Sequence, residues 1–227
     1  MTEPQLTSYD EQPYPGQAYA QTHPDRLAVM AKLFGMAPAP LSGCRVLELG
    51  CASGANLIPM AEQMPDASFV GLDFSSRQIA DGQAVIAELG LPNIELRQSD
   101  ISAVDGSLGK FDYIIAHAIY SWVPPEVQDK VLAICNANLA PSGVAYVSYN
   151  TYPGWRMRGM ARDMLLYHAR QFGEAPLQVP QARALLDFLA QNVPTEDNPH
   201  GTLLKQELEG LRNQADWYLA HEYLGDI

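Results

Sequence analysis

The chain has 227 residues, 14 Lys+Arg against 26 Asp+Glu for a formal net charge of −12, and 47% hydrophobic residues. That composition supports a large buried core and excludes a disordered chain, and the acidic balance argues against nucleic-acid partners, which select a basic footprint. No run approaches the roughly 20 apolar residues of a membrane-crossing helix and the opening MTEPQLTSYDEQPYPG is too polar for a signal peptide, so no membrane insertion and a cytoplasmic location are expected.

Residues 1–22 are rich in Pro, Gln and Tyr, lack apolar periodicity and read as an extended arm. A helix follows with Pro24 in its first turn, Leu27, Met30, Ala31 and Phe34 on one face, and a stop at Gly35. Beyond a Pro-rich link, RVLELG (45–50) is a buried strand, leading into a Gly-containing loop and a helical segment over 55–64. SFVGLD (68–73) is a second strand, and Ser75 is placed to cap a helix that presents Ile79, Ile86 and Leu89 and ends at Gly90. IELRQSD (94–100), FDYIIAHA (111–118) and GVAYVSYN (143–150) read as strands three to five, with a helix near 125–140 carrying Val127, Val131, Leu132, Cys135 and Leu139. Strands apolar throughout and separated by helices predict an α/β fold with a mostly parallel sheet covered on both faces. After residue 150 the pattern is helical, over 155–172, 181–193 and 202–224. Arm and first helix (1–40), core (41–153) and helical extension (154–227) are the expected divisions. Cys44, Cys51 and Cys135 form neither a CxxC pair nor an even set, which points to a reducing compartment and to no metal site.

The string VLELGCASGAN places Glu48 at the end of strand one, then Gly50, Ala52 and Gly54, then a helix start. Small residues let backbone approach a ligand and helix N-termini present free N–H groups, but a tight turn needs the same glycines, so the loop alone leaves both readings open. Asp73 ends strand two, where a carboxylate can accept both hydroxyls of a ribose. Asp100 ends strand three, placed to meet an adenine amino group with Ile101 against the base. Taken singly, each carboxylate reads as a helix N-cap. Together, three at the C-terminal ends of consecutive strands line the crevice where open α/β sheets bind ligands. NAD would set a pyrophosphate near Glu48, and Ala55 stands where its fingerprint has a third glycine. S-adenosylmethionine has no phosphate and carries a sulfonium and an ammonium, so acidic residues near the loop favour it.

The ordered strings 45-RVLELGCASGANLIPMA-61, 69-FVGLDFS-75, 99-SDI-101 and 112-DYIIAHAIYSWVP-124 resemble the first four motifs of class I S-adenosylmethionine-dependent methyltransferases, over residues 40–150. Ala52 departs from the common motif, which has Gly there. The arm SYDEQPY…QTHPDRLAVMAKLFG, the string GCASGANLIPMA and SYNTYPGW are similar to bacterial methyltransferases with a methyltransferase regulatory domain, a group that includes rickettsial protein-lysine methyltransferases acting on outer-membrane protein. The resemblance implies a Rossmann-like class I fold whose sheet ends in a β-hairpin. This sequence shows no such hairpin, so a fragment lacking the final strands and the regulatory domain is expected.

The resemblance further implies S-adenosyl-L-methionine as cofactor, held by Glu48, Gly50, Cys51, Ala52, Gly54 and Asn56, by Asp73, Phe74 and Ser75, by Asp100 and Ile101, and by His117. His117 and Tyr120, beside the methionine half of the cofactor in this fold, are catalytic candidates with Tyr149 and Asn150 after strand five. The implied reaction is in-line methyl transfer to a protein side chain, in this group lysine. A small-molecule acceptor and a cofactor-binding module without transfer activity are the alternatives. Tyr149, Asn150, Tyr152 and Trp155 could wall the acceptor, since aromatic faces attract a methylammonium, although core aromatics and a Pro-Gly turn explain the same string. Tyr9, Tyr14, Tyr19, Gln21 and His23 put the arm forward as a lid over the cofactor. Arg156, Arg158, Arg162 and Arg170 read as a solvated face over core-filling Met157, Met160 and Met164. The partner expected is a protein or small-molecule methyl acceptor, with a homodimer left open.

Overall fold

Five apolar runs too short for helices become strands: β1 (Arg45–Leu49), β2 (Ser68–Asp73), β3 (Ile94–Gln98), β4 (Phe111–Ala116) and β5 (Leu139–Val147). A computed structural model describes residues 13–173 and 175–225, in two compact units, Met1–Tyr149 and Asn150–Ile227. In the first unit the strands form one sheet in the order β3-β2-β1-β4-β5, with every pairing parallel. Parallel neighbours need crossover connections. Helices α1 (Pro24–Leu33), α2 (Leu57–Gln63), α3 (Ser76–Leu89) and α4 (Pro125–Asn138) flank the sheet in the α/β, Rossmann-like arrangement that the alternation of elements predicts. The strand order reverses between β1 and β4, the position at which open sheets of this kind leave a crevice beyond their C-terminal ends.

Side chains alternate across a strand, so each strand feeds two cores. Val46, Phe69, Tyr113 and Ile115 pack with Leu27, Leu57, Met60 and Ile79 from α1, α2 and α3. Leu47, Leu49, Leu72, Ile114 and Ala116 pack with Val131 and Ile134 of α4. Glu48, two residues after Val46, shares the first face and lies level with Gly71 on one side and Ile115 on the other.

Ser75 caps α3, its hydroxyl accepting from the Gln78 N–H at 3.1 Å, and Gly90 closes that helix in the left-handed region (φ 63°). The buried stripe of α1 is Pro24, Leu27, Ala28 and Ala31. Met30 lies beside that stripe and Phe34 is the C-cap, where helical geometry ends, so these two members of the expected face are 51% and 80% exposed. Leu89 on α3 and Leu132 on α4 also face solvent. β5 starts earlier than 143 because Leu139 already pairs with Phe111; an irregularity follows before regular register resumes with Val144 opposite Tyr113.

The second unit is helical: α5 (Trp155–Ala169), α6 (Ala175–Asn192) and α7 (Pro199–Arg212), then a helical turn Asp216–Tyr218 and a π-helical turn Leu219–Tyr223. The helix expected at 181 begins earlier because Pro180 is accommodated inside it. The one expected over 202–224 breaks after Arg212. Its core is Ala161, Leu165, Leu186, Leu208, Leu211 and Leu219, and Met157, Met160 and Met164 are half-buried at its margin rather than central. Among the described residues no strand follows Val147, and no helix is long and apolar enough to cross a membrane.

Close packing of α3 under the first loop yields a test. A Cβ on Gly82 would lie 2.4 Å from the Ser53 carbonyl oxygen, a backbone atom. Alanine is the better helix former by about 1 kcal/mol, yet Gly82→Ala is expected to destabilise the chain by about 1–3 kcal/mol through overpacking. Thermal unfolding followed by circular dichroism should show the midpoint falling by roughly 2–4 °C per kcal/mol; a midpoint unchanged or raised would mean that α3 can retreat from the loop.

Candidate functional site

Past β1 the chain turns sharply above the crevice. The Gly50 and Cys51 N–H groups both donate to the Leu72 carbonyl, at 2.8 and 3.0 Å, and the Ala52 N–H donates to Asp73 Oδ2 at 2.7 Å. Gly50 has φ 71°, and a Cβ there would meet Ile119 Cγ2 at 2.4 Å, so two independent constraints select glycine. Ala52 also lies in the left-handed region, at φ 50°. For a residue with a Cβ that conformation costs roughly 1–2 kcal/mol, which is why a glycine suits this place in the motif. The bond to Asp73 helps hold the alanine there.

Glu48 is 3% exposed. Its Oε1 accepts from Asn56 Nδ2 at 2.7 Å, while its Oε2, also buried, has no hydrogen-bond partner among the described residues. Burial pushes the carboxyl up to about 7, against the lowering effect of the Asn56 bond and with Asp73 raising it further. A buried carboxylate satisfied on one oxygen only is expensive as structure. It suits a cationic ligand group and disfavours phosphate, so the residues present fit the ammonium-bearing cofactor expected from the sequence.

Asn56 stands at the N-cap of α2, but its side chain makes no cap bond. Instead its Nδ2 donates to Glu48 and to Thr22 Oγ1 (3.0 Å), and its Oδ1 accepts the Tyr19 N–H at 2.8 Å. The arm is thereby seated on the loop, with the Tyr19 ring 4.1 Å from that of His117. His117 follows β4; the Tyr146 hydroxyl lies 3.4 Å from its Nδ1, and burial holds the imidazole below its ordinary value. The next residue, Ala118, has φ 56° and donates its N–H to Ser148 Oγ at 2.8 Å.

Asp73 ends β2 with Oδ1 accepting from the Ser75 N–H at 2.9 Å, so backbone amides orient both of its oxygens. Asp100 caps the single turn Ile101–Ala103 through the Ser102 N–H, at 2.8 Å, and is exposed beside half-buried Ile101. Phe74 is 55% exposed. Tyr120 and Tyr149 pair at 6.0 Å, beyond β4 and β5. His23, expected in the lid, is instead the N-cap of α1, with Nδ1 accepting from the Asp25 N–H. Tyr14 is half-buried, Gln21 is exposed and Tyr9 lies outside the described residues. Asn150, Tyr152 and Trp155 belong to the second unit. There the Arg156 guanidinium lies 4.6 Å over the Tyr152 ring and that of Arg158 5.4 Å over Trp155, so the chain's own cations already stack on these aromatics.

Two participants escape a sequence reading. Thr22, fully buried, stands in QTHPD, which reads as an ordinary lead-in to a helix; Tyr146 sits in an apolar strand where an aromatic reads as core. The alternation of β5 does place Tyr146 level with Ile115, and that was the available signal.

Residues 46–143 match the methyltransferase-domain family. An uncharacterised protein of Rickettsia prowazekii is 40% identical over 220 residues, covering 97% of this chain and 88% of that protein. A second uncharacterised protein of the same organism is 45% identical over 216 residues, covering 95% of this chain and 39% of that protein. The solved structure of PKMT2 from Rickettsia typhi in complex with AdoHcy superposes with TM-score 0.85 at 40% identity, over 95% of this chain and 41% of that one. The chain therefore spans about two fifths of the length of these longer relatives.

The state of Glu48 sets a pH dependence. Its pKa is higher folded, at about 7, than the ordinary 4.5, so between these values the native state holds more proton and stability falls as pH rises, levelling off above 7. Glu48→Gln is expected to make the ligand-free chain more stable than the parent at pH 8, by up to about 3 kcal/mol, with the difference vanishing near pH 4. Urea unfolding across that range checks it, and a gap that does not depend on pH would contradict the assignment.

Proposed function

We infer the function from the family, because the chain belongs to the class I S-adenosylmethionine-dependent methyltransferases. The observation that carries the reading is the Glu48 carboxylate, buried at the switch point with one oxygen lacking a partner among the described residues. S-adenosyl-L-methionine supplies an electrophilic methyl group on a sulfonium, next to an ammonium. Glu48 receives that ammonium, the backbone of Gly50, Cys51, Ala52 and Gly54 lies along the methionine half, Asp73 takes the ribose hydroxyls, and Asp100 with Phe74, Ser75 and Ile101 holds the adenine. Residues 41–153 form the cofactor-binding part, residues 1–40 contribute the lid, and residues 154–227 form a helical extension.

The chain contributes proximity, orientation and exclusion of water more than covalent chemistry. Tyr19, seated over His117, shields the inner end of the crevice. The acceptor is a protein amine, in keeping with the similarity to PKMT2 and with the sequence resemblance to protein-lysine methyltransferases. A lysine ammonium, ordinarily near 10.4, must lose a proton before its nitrogen can attack. His117 is the residue for that proton: burial favours its neutral imidazole, and in the tautomer whose Nδ1–H donates to the Tyr146 hydroxyl Nε2 is the accepting atom. Tyr120 and Tyr149 flank the acceptor.

Calorimetric titration with S-adenosylmethionine, S-adenosylhomocysteine and NAD tests the cofactor, and binding of NAD alone would overturn the reading. Asp73→Ala is expected to weaken S-adenosylhomocysteine binding by about two orders of magnitude or more, since charge-assisted bonds of roughly 1.5–3 kcal/mol each are lost. Normal affinity in that variant would remove the ribose assignment. Incubation of a host lysate with methyl-labelled donor should label protein, whereas label confined to small molecules would reassign the acceptor, and no label with intact binding would leave a cofactor-binding module.

A further inference from the structure

The hydrogen bonds that seat the arm on the crevice converge on one buried side chain, Asn56. Asn56 is 5% exposed and uses its amide in three directions: toward Glu48, toward Thr22 and toward the Tyr19 backbone. Thr22, 0% exposed, accepts from Asn56 Nδ2 and donates its hydroxyl to the Tyr19 carbonyl at 2.8 Å. The arm also presses Gly16 against the loop, where a Cβ would lie 2.3 Å from the Ala55 Cβ. At the other end of the relay, Glu48 Oε2 is buried with no partner among the described residues.

We propose that Thr22 is a positioning residue that ties the arm, through Asn56, to the Glu48 carboxylate, so that seating of the arm and occupancy of the crevice reinforce each other. The proposal rests on the reading of Glu48 as the seat of the cofactor's ammonium. A cation at Oε2 favours the ionised carboxylate, which makes the Asn56 Nδ2–H bond to Oε1 charge-assisted and stronger. A more polarised amide accepts more strongly at Oδ1 from the Tyr19 N–H, because hydrogen bonds in a chain strengthen one another at low dielectric. Tyr19 then holds its ring over His117 at the point where the methyl group would be transferred. Reciprocity follows from linkage: the factor by which the seated arm tightens the ligand is the factor by which the ligand favours the seated arm.

The test uses S-adenosylhomocysteine and the whole chain. Thr22→Val keeps the shape, removes the hydroxyl's bond to the Tyr19 carbonyl and takes the Thr22 acceptor away from one Asn56 N–H. It is expected to weaken S-adenosylhomocysteine roughly three- to tenfold in calorimetry. Chymotryptic cleavage after Tyr19, which the ligand should slow in the parent, should be faster in the variant and protected less. Thr22→Ser, which keeps the hydroxyl, should restore both. Gly16→Val pushes the arm off the loop at Ala55 and should reproduce the same losses. Parent-like affinity and protection in Thr22→Val and Gly16→Val would overturn the coupling. Failure of the parent itself to bind S-adenosylhomocysteine would overturn the cofactor reading, and the coupling with it.

Discussion

A carboxylate held out of water, one oxygen of which has no partner among the described residues, is the constraint from which the site follows. Glu48 reaches this position because side chains alternate along β1: Val46 and Glu48 face the same core, and the last residue of that face lies at the strand order's reversal. Everything around it is arranged to tolerate the charge on one side and to leave it needy on the other. Asn56 gives up its capping role in α2 to donate to Oε1, and Gly71 opposite it presents no side chain.

The loop between β1 and α2 is held by tertiary bonds more than by its own turn chemistry. The Leu72 carbonyl takes two consecutive N–H groups, and Asp73 takes a third at a residue whose backbone would rather be elsewhere. Left-handed conformations at Ala52 and at Ala118, just after the two strands that flank the switch point, place modest strain at the crevice mouth. Asp73 therefore does two things at once. It shapes the loop through backbone amides and puts its charge at the crevice, while Ser75 rather than Asp73 caps α3.

The arm extends the same logic outward. Residues without apolar periodicity are ordered here by polar contacts to a buried amide and by one ring tilted against His117, rather than by a hydrophobic face of their own. Segments held in this way sit at the low end of local stability, as the lid proposed for the arm requires. The imidazole below the arm stays neutral for the same reason that the carboxylate stays needy: both lose hydration to the packing around them.

The period-2 and period-3.6 patterns, the cap at Ser75 and the stop at Gly90 were legible in the sequence because they depend on neighbours a few residues away. So were the three carboxylates at strand ends, since an apolar run ending in an acid is a local signal. Met30 and Phe34, apolar and at helical spacing, could not be told from core residues, because periodicity locates a face but not which stripe of it meets the sheet. The early start of β5 escaped for a like reason, as Leu139 joins the sheet only through its partner Phe111. Thr22, Asn56 and Tyr19 lie 34 and 37 residues apart along the chain, and no spacing rule links them. The sequence alone determined the elements, the family motif and the charge of the crevice, all of which follow from short-range chemistry. Only the tertiary structure decided which oxygen of Glu48 is left without a bond and which part of the arm comes to rest on Asn56, because burial and long-range hydrogen bonding exist only once the sheet has closed around them.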